Sequence, residues 1–130
     1  MQSLENHLVD KENGIIKLLD PPFDKSKLEP GYIKAYVPGT RENGGQYTHS
    51  AIWGIIAESM LGFGNKATEW YRMINPIEHT RTKDAAKKYK VEPYVIAADI
   101  SSQRNLAGRG GWTWYTGSSS WMYEAGIKYL

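Results

Sequence analysis

Residues 38–49 read PGTRENGGQYTH and gather an arginine, a glutamate, two side-chain amides, a tyrosine and a histidine in one short polar loop. Glu42 can accept hydrogen bonds from sugar hydroxyls. Gln46 can both donate and accept, and His49 can donate to an anion. The Gly44-Gly45 pair lets backbone approach a ligand closely or take positive φ. A second stretch, GRGGWTWYTGSSSW at residues 108–121, sets three glycines before a Trp-x-Trp-Tyr cluster. It then opens a helix at Thr116-Gly117-Ser118, where backbone N–H groups and a hydroxyl make an anion site. Each stretch has a plainer alternative. The first loop's polar groups can satisfy its own backbone. Thr116 or Ser118 can be a simple N-cap, with the tryptophans in the core.

The other chemistry-bearing residues form no site. His7 and His79 have no ligand-spaced partner and read as surface residues, and no metal or cofactor is expected. KDAAKKYK reads as a solvated face. No Ser-His-Asp order, P-loop or dinucleotide fingerprint is present.

The elements that must hold the two loops are mainly helical. ENHLVD suggests a short helix, Asn13-Gly14 a turn, and Pro21-Pro22 stops the following IIKLLD. Residues 28–49 are loop. A helix is predicted over residues 50–61, with Thr48 or Ser50 as N-cap and Gly62 as its stop. It is apolar over most of its circumference, which predicts deep burial. NKATEWYRMIN should form the next helix, capped by Asn65 and ended by Pro76. Trp70, Met73 and Ile74 line one face of it, and the short link makes an antiparallel hairpin. RTKDAAKKYK is helical or irregular. EPYVIAADI suits a strand by its Val and Ile content, or a helix if the chain is all-α. The last segment places Met122, Ala125, Tyr129 and Leu130 on a helical stripe.

The 130 residues allow at most one domain of ordinary size. Sixteen basic residues against fourteen acidic ones give no electrostatic case for nucleic acid or an anionic membrane. With no cysteine there is no disulfide framework or thiolate site. The first residues carry no signal-peptide core, and no apolar run approaches the roughly 20 residues a membrane span needs. A cytoplasmic location is expected, and no membrane contact from this segment. Aromatic residues make up 12% of the chain, and such rings serve cores as well as the apolar faces of sugars.

Together, PPFDKSKLEPGYIKAYVPGTRENGGQYTHSAIW, NPIEHT, YKVEPYVIAADI and GRGGWTWYTGSSSWMY resemble glycoside hydrolase family 94, the inverting glycoside phosphorylases. The likeness is strongest to the C-terminal part of cyclic β-1,2-glucan synthase-type members. It implies that residues 1–130 are a single partial domain, all-α, from the C-terminal portion of a six-hairpin (α/α) barrel with long glycine-rich loops. Both loops would face one pocket at the barrel mouth. The implied activity is phosphorolysis or transfer on β-glucosidic bonds of a β-glucan oligosaccharide, with inorganic phosphate as nucleophile. The resemblance gives phosphate-binding roles to His49, Thr116 and Gly117, and substrate contacts to Glu42 and Tyr36. The family's general-acid motif and its upstream phosphate-binding arginine have no counterpart here. The general acid is therefore expected upstream, no residue of this chain is assigned as catalytic, and Arg41 and Arg109 are given no role. Such a chain should lean on an upstream segment or self-associate, and its parent protein can be anchored to the inner membrane. The alternatives are a non-catalytic sugar-binding module, or a structural piece that completes a barrel with another chain.

Overall fold

The computed structural model describes residues 1–114 and 117–130. Helix α1 (Gln2–Leu8) leads into a hairpin of two very short strands, β1 (Val9–Asp10) and β2 (Ile15–Ile16). Asp10 closes the turn, accepting from the Asn13 backbone N–H at 3.0 Å and from its side-chain amide at 2.8 Å. Successive strand residues face opposite ways, so this hairpin divides two cores. Ile16 packs with Ile52, Ile55, Trp70, Ile74 and Met122, whereas Ile15 packs with Tyr89, Ala97 and Ile100.

The larger core lies among helices α2 (Thr48–Met60), α3 (Gly64–Met73) and α6 (Gly117–Lys128). Gly62, at φ +86°, ends the first turn-back, and α3 packs against α2. The Tyr71 hydroxyl donates to the Met122 carbonyl at 3.2 Å and ties α3 to α6. Ser59 in α2 donates to the Tyr129 carbonyl just beyond α6. Two short helices, α4 (Pro76–His79) and α5 (Lys83–Tyr89), are capped by the Asn75 and Thr82 side chains. Within the otherwise solvated α5, Tyr89 is buried and stacks on His79 with ring centroids 4.8 Å apart. His79 is thus half-buried packing, not a surface residue, while His7 is exposed.

Several helix details differ from expectation. Neither Thr48 nor Ser50 caps α2: the cap position is Tyr47, and the Ser50 hydroxyl donates back to the Tyr47 carbonyl. Asn65 lies inside α3, because the Ala67 N–H already reaches the Phe63 carbonyl at 3.0 Å. Leu130 is exposed because α6 ends at Lys128 and the helical period stops with it. Helix α2 is buried on one face only. Ala51, Ile52 and Ile55 point inward, but Trp53 and Met60 are 52% and 73% exposed. Tyr123 and Ile127 on α6 are also exposed, along an open groove of about 500 Å³.

The chain is mostly helical, with a few two-residue strands. Strand β3 (Gln46–Tyr47) pairs antiparallel with β4 (Asp99–Ile100), which falls in the ambiguous EPYVIAADI stretch. Extended backbone wins there because residues 98–102 bond on two sides. The Thr48 N–H donates to the Ala98 carbonyl at 2.9 Å. On the other side, the Gly111 N–H donates to Asp99 and the Ser101 N–H to Arg109, both at 2.8 Å. A helix would leave these partners unsatisfied.

Asn43 fixes the polar loop onto this frame. It is fully buried, accepts from the Phe23 N–H at 2.7 Å, and donates to the Phe23 and Tyr36 carbonyls at 2.9 and 2.8 Å. Asn43→Ala would orphan those part-buried backbone groups, at about 1–3 kcal/mol each where water cannot replace the partner. Chemical denaturation should show a loss of at least about 1 kcal/mol. An unchanged midpoint would mean the clamp contributes nothing.

Candidate anion-binding site

The loop's tight turn comes first. The Asn43 N–H donates to the Thr40 carbonyl at 3.0 Å, which places Arg41 and Glu42 at the turn's centre. Arg41 has φ +48°, a position where glycine is usual and a bulky residue costs about 1–3 kcal/mol. A side chain on Gly45 could not be tolerated, since its Cβ would lie 2.9 Å from the Arg41 nitrogen and 3.0 Å from the Gly39 carbonyl oxygen. The chain therefore doubles tightly on itself and throws the Arg41 side chain sideways. The guanidinium carbon sits 3.9 Å over the Trp112 ring and 5.6 Å from the centre of the Tyr36 ring. Contact of this kind with Trp112 contributes about 0.5–2 kcal/mol.

Arg41, Tyr47 and His49 from the first loop share one cavity of about 210 Å³ with Trp112, Gly117 and Ser118 from the second, and Ala98 lies between them. At ~30 Å³ per water, that volume holds a small anion with a few waters. An added Cβ on Gly117 would lie 3.7 Å from both Cε1 and Nδ1 of His49, so the imidazole edge stands directly against the start of α6. His49 is held among aromatic rings. Its centroid is 4.8 Å from Trp53, 5.6 Å from Trp121 and 6.0 Å from Tyr47. Its Nε2 is buried and has no hydrogen-bond partner among the described residues.

The family-implied positions thus fare differently. His49 and Gly117 converge, although 68 residues separate them in sequence. Thr116 lies outside the described residues. Glu42 does not line the cavity. It stands behind Arg41, with its Oε2 buried and 3.8 Å from the Arg41 Nε, too far for a hydrogen bond. Tyr36 reaches the site through Arg41, whose guanidinium it faces. The two amides of the loop are structural. Asn43 is consumed by the clamp described above. Gln46 accepts from the Ile16 N–H at 2.9 Å and donates to the Thr48 hydroxyl at 3.1 Å.

Sequence reasoning missed Arg41, Trp112 and Asp99 as neighbours. The arginine at the head of ENGG was the available signal, but nothing in the sequence shows that Trp112 folds over it. Asp99 is buried and accepts from the Trp112 N–H at 3.3 Å. Burial pushes its carboxyl above the ordinary carboxylate value. The Trp112 N–H and the Arg41 charge oppose that rise, and Glu42 adds to it. Arg109, by contrast, lines a separate cavity with Lys87, Lys88 and Lys90.

A family model described as the glycosyl hydrolase 94 superfamily, catalytic domain, matches residues 1–130. The chain belongs to that superfamily. It is 51% identical over 128 residues to the cyclic beta-(1,2)-glucan synthase NdvB of Rhizobium meliloti (strain 1021), covering 98% of this chain and 4% of that protein. It is 30% identical to the solabiose phosphorylase of Paenibacillus borealis and 29% identical to the N,N'-diacetylchitobiose phosphorylase of Vibrio proteolyticus. Both matches cover all of this chain and 16% of the relative. This is a carbohydrate-active enzyme family, and the chain spans a small part of the relatives it matches. No helix among the described residues is long and apolar enough to cross a membrane.

The raised Asp99 pKa carries a definite sign. A carboxyl held above its unfolded value binds more protons in the folded state. Its contribution to stability is complete below the ordinary value near 3.8 and is lost as pH rises through the folded value. Asp99→Asn keeps the shape and removes the charge. Relative to wild type, its urea midpoint should therefore rise from about pH 3 to about pH 7. A difference that stays flat over this range would contradict the burial argument.

Proposed function

We propose that this chain is the C-terminal portion of the catalytic domain of an inverting phosphorylase-type enzyme, acting by phosphorolysis or transfer on β-glucosidic bonds, with β-1,2-glucan as substrate. In this reading the helices belong to an (α/α) barrel, and the cavity beside His49 receives phosphate. One observation carries it: the His49 imidazole meets the Gly117 end of α6 within a cavity that also holds Arg41. An imidazole N–H and backbone N–H groups at a helix start suit a tetrahedral anion. Thr116, next to Gly117 in sequence, would add its hydroxyl. Glu42 and Tyr36 would meet the sugar, from behind and beside Arg41. Names among the relatives, a β-1,2-glucan synthase and two phosphorylases, agree with this substrate class and chemistry.

Phosphate is already an anionic nucleophile. It replaces the base-activated water of an inverting hydrolase. The protein's task is to hold it in line with the anomeric carbon and to offset repulsion between charges. The departing oxygen still needs a proton, and no side chain of this chain is assigned to give it. That donor, and the rest of the pocket, would come from an upstream segment.

Two measurements test this reading. The 130-residue chain, given phosphate and β-1,2- or β-1,4-linked oligosaccharides, should release no glucose 1-phosphate, since general-acid catalysis alone typically contributes ~10²–10⁴-fold. Robust turnover would overturn the assignment of the proton donor elsewhere. Titration with inorganic phosphate at fixed ionic strength should show binding that His49→Ala weakens roughly tenfold, the scale of one charge-assisted hydrogen bond. Equal binding by both proteins would remove His49 from the site.

A further inference from the structure

The resemblance assigns Arg41 no role, and the sugar and phosphate contacts it implies fall elsewhere. We infer that Arg41 is a cation of this anion site: its guanidinium, stacked over Trp112 and near Tyr36, contributes charge to a bound phosphoryl group beside His49 and Gly117. The inference rests on the phosphate reading above and adds a residue to it.

Four observations lead here. Arg41 lines the same cavity as His49, Gly117 and Ser118, and among the described lining residues it alone carries a permanent positive charge. Its side chain is only 17% exposed and stacks 3.9 Å over Trp112, so the charge is held in place and not free in solvent. Among the described residues its buried Nε has no hydrogen-bond partner, nor has the Glu42 Oε2 that stands 3.8 Å from it at ion-pair distance. A pair serving only to stabilise the loop would close that gap. Lastly, the chain keeps this arginine at φ +48° in a turn where glycine would be free of strain. Strain retained at a cavity wall points to a side chain that the site needs.

A planar guanidinium suits the edge of a phosphoryl group, and stacking on rings leaves that edge available. The ligand is thus a phosphate dianion or the phosphate of an α-sugar 1-phosphate. Glu42 and Asp99 also face Arg41. Their carboxylates offset part of its charge, which favours release of the anion.

Arg41→Gly is the informative variant, because it relieves the turn while removing the charge. Its thermal midpoint should stay near wild type, but affinity for inorganic phosphate at fixed pH and ionic strength should fall roughly tenfold or more. Arg41→Lys should recover part of that loss. Affinity for glucose 1-phosphate, titrated separately, should fall in parallel. If glucose 1-phosphate alone weakens, Arg41 serves the product's phosphate and not the free ion, and the inference stands for that ligand only. Wild-type affinity of Arg41→Gly for both ligands would overturn it. Should His49→Ala lose phosphate while Arg41→Gly keeps it, the site reading survives and this inference fails. Should wild type bind neither ligand, both fail.

Discussion

Residues 98–102 form a rail on which everything at the site depends. On one edge the rail bonds to residues 46–48, and on the other to residues 109–112. It joins the first loop to the second by backbone hydrogen bonds. Backbone pairing sets their separation to the width of adjacent strands, about 4.8 Å per step. That spacing brings Arg41 over Trp112. It also delivers the start of α6 to His49 at the start of α2. Glycines are needed where the rail is crowded. A Cβ on Gly111 would collide with the Asp99 carboxylate.

The polar loop divides its labour by residue type. Neutral amides build, while Arg41, Tyr47 and His49 line the cavity. Asn43 and Gln46 are each fully buried and spend their hydrogen bonds on neighbouring backbone or on Thr48. An amide offers a donor and an acceptor together, which suits a strand-like gap that needs both. Arg41 and His49 line the cavity, and among the described residues the Arg41 Nε and the His49 Nε2 are buried without a hydrogen-bond partner. Burying unpaired polar groups is costly, and the aromatic surroundings of both residues recover part of that cost through packing.

The hairpin at residues 9–16 has a matching role on the far side. Its two isoleucines face different cores, so it couples the helical layer to the Tyr89 cluster under the rail. Gln46 reaches back to the Ile16 N–H and locks the two together. The outer faces of α2 and α6 carry no such coupling. Trp53, Met60, Tyr123 and Ile127 remain exposed there, in a chain that spans only a few per cent to one sixth of the relatives it matches.

The sequence by itself determined α1, α2, α3 and α6 and their order, because apolar spacing, Gly62 and Pro76 are local signals; it left α5 open and did not mark α4. It also marked both loops as candidate sites, and its motifs led to the family. Local signals could not decide β4, since Val and Ile in EPYVIAADI serve a strand or a buried helix equally. They left the roles of Asn43 and Gln46 open, because an amide's type fits a sugar contact as well as a backbone clamp. Only the tertiary structure decided these points, because each depends on which backbone groups lie opposite after folding. The stacking of Arg41 on Trp112 is the clearest case. It joins residues 71 positions apart in sequence, and it exists only because the rail pairs with both loops at once.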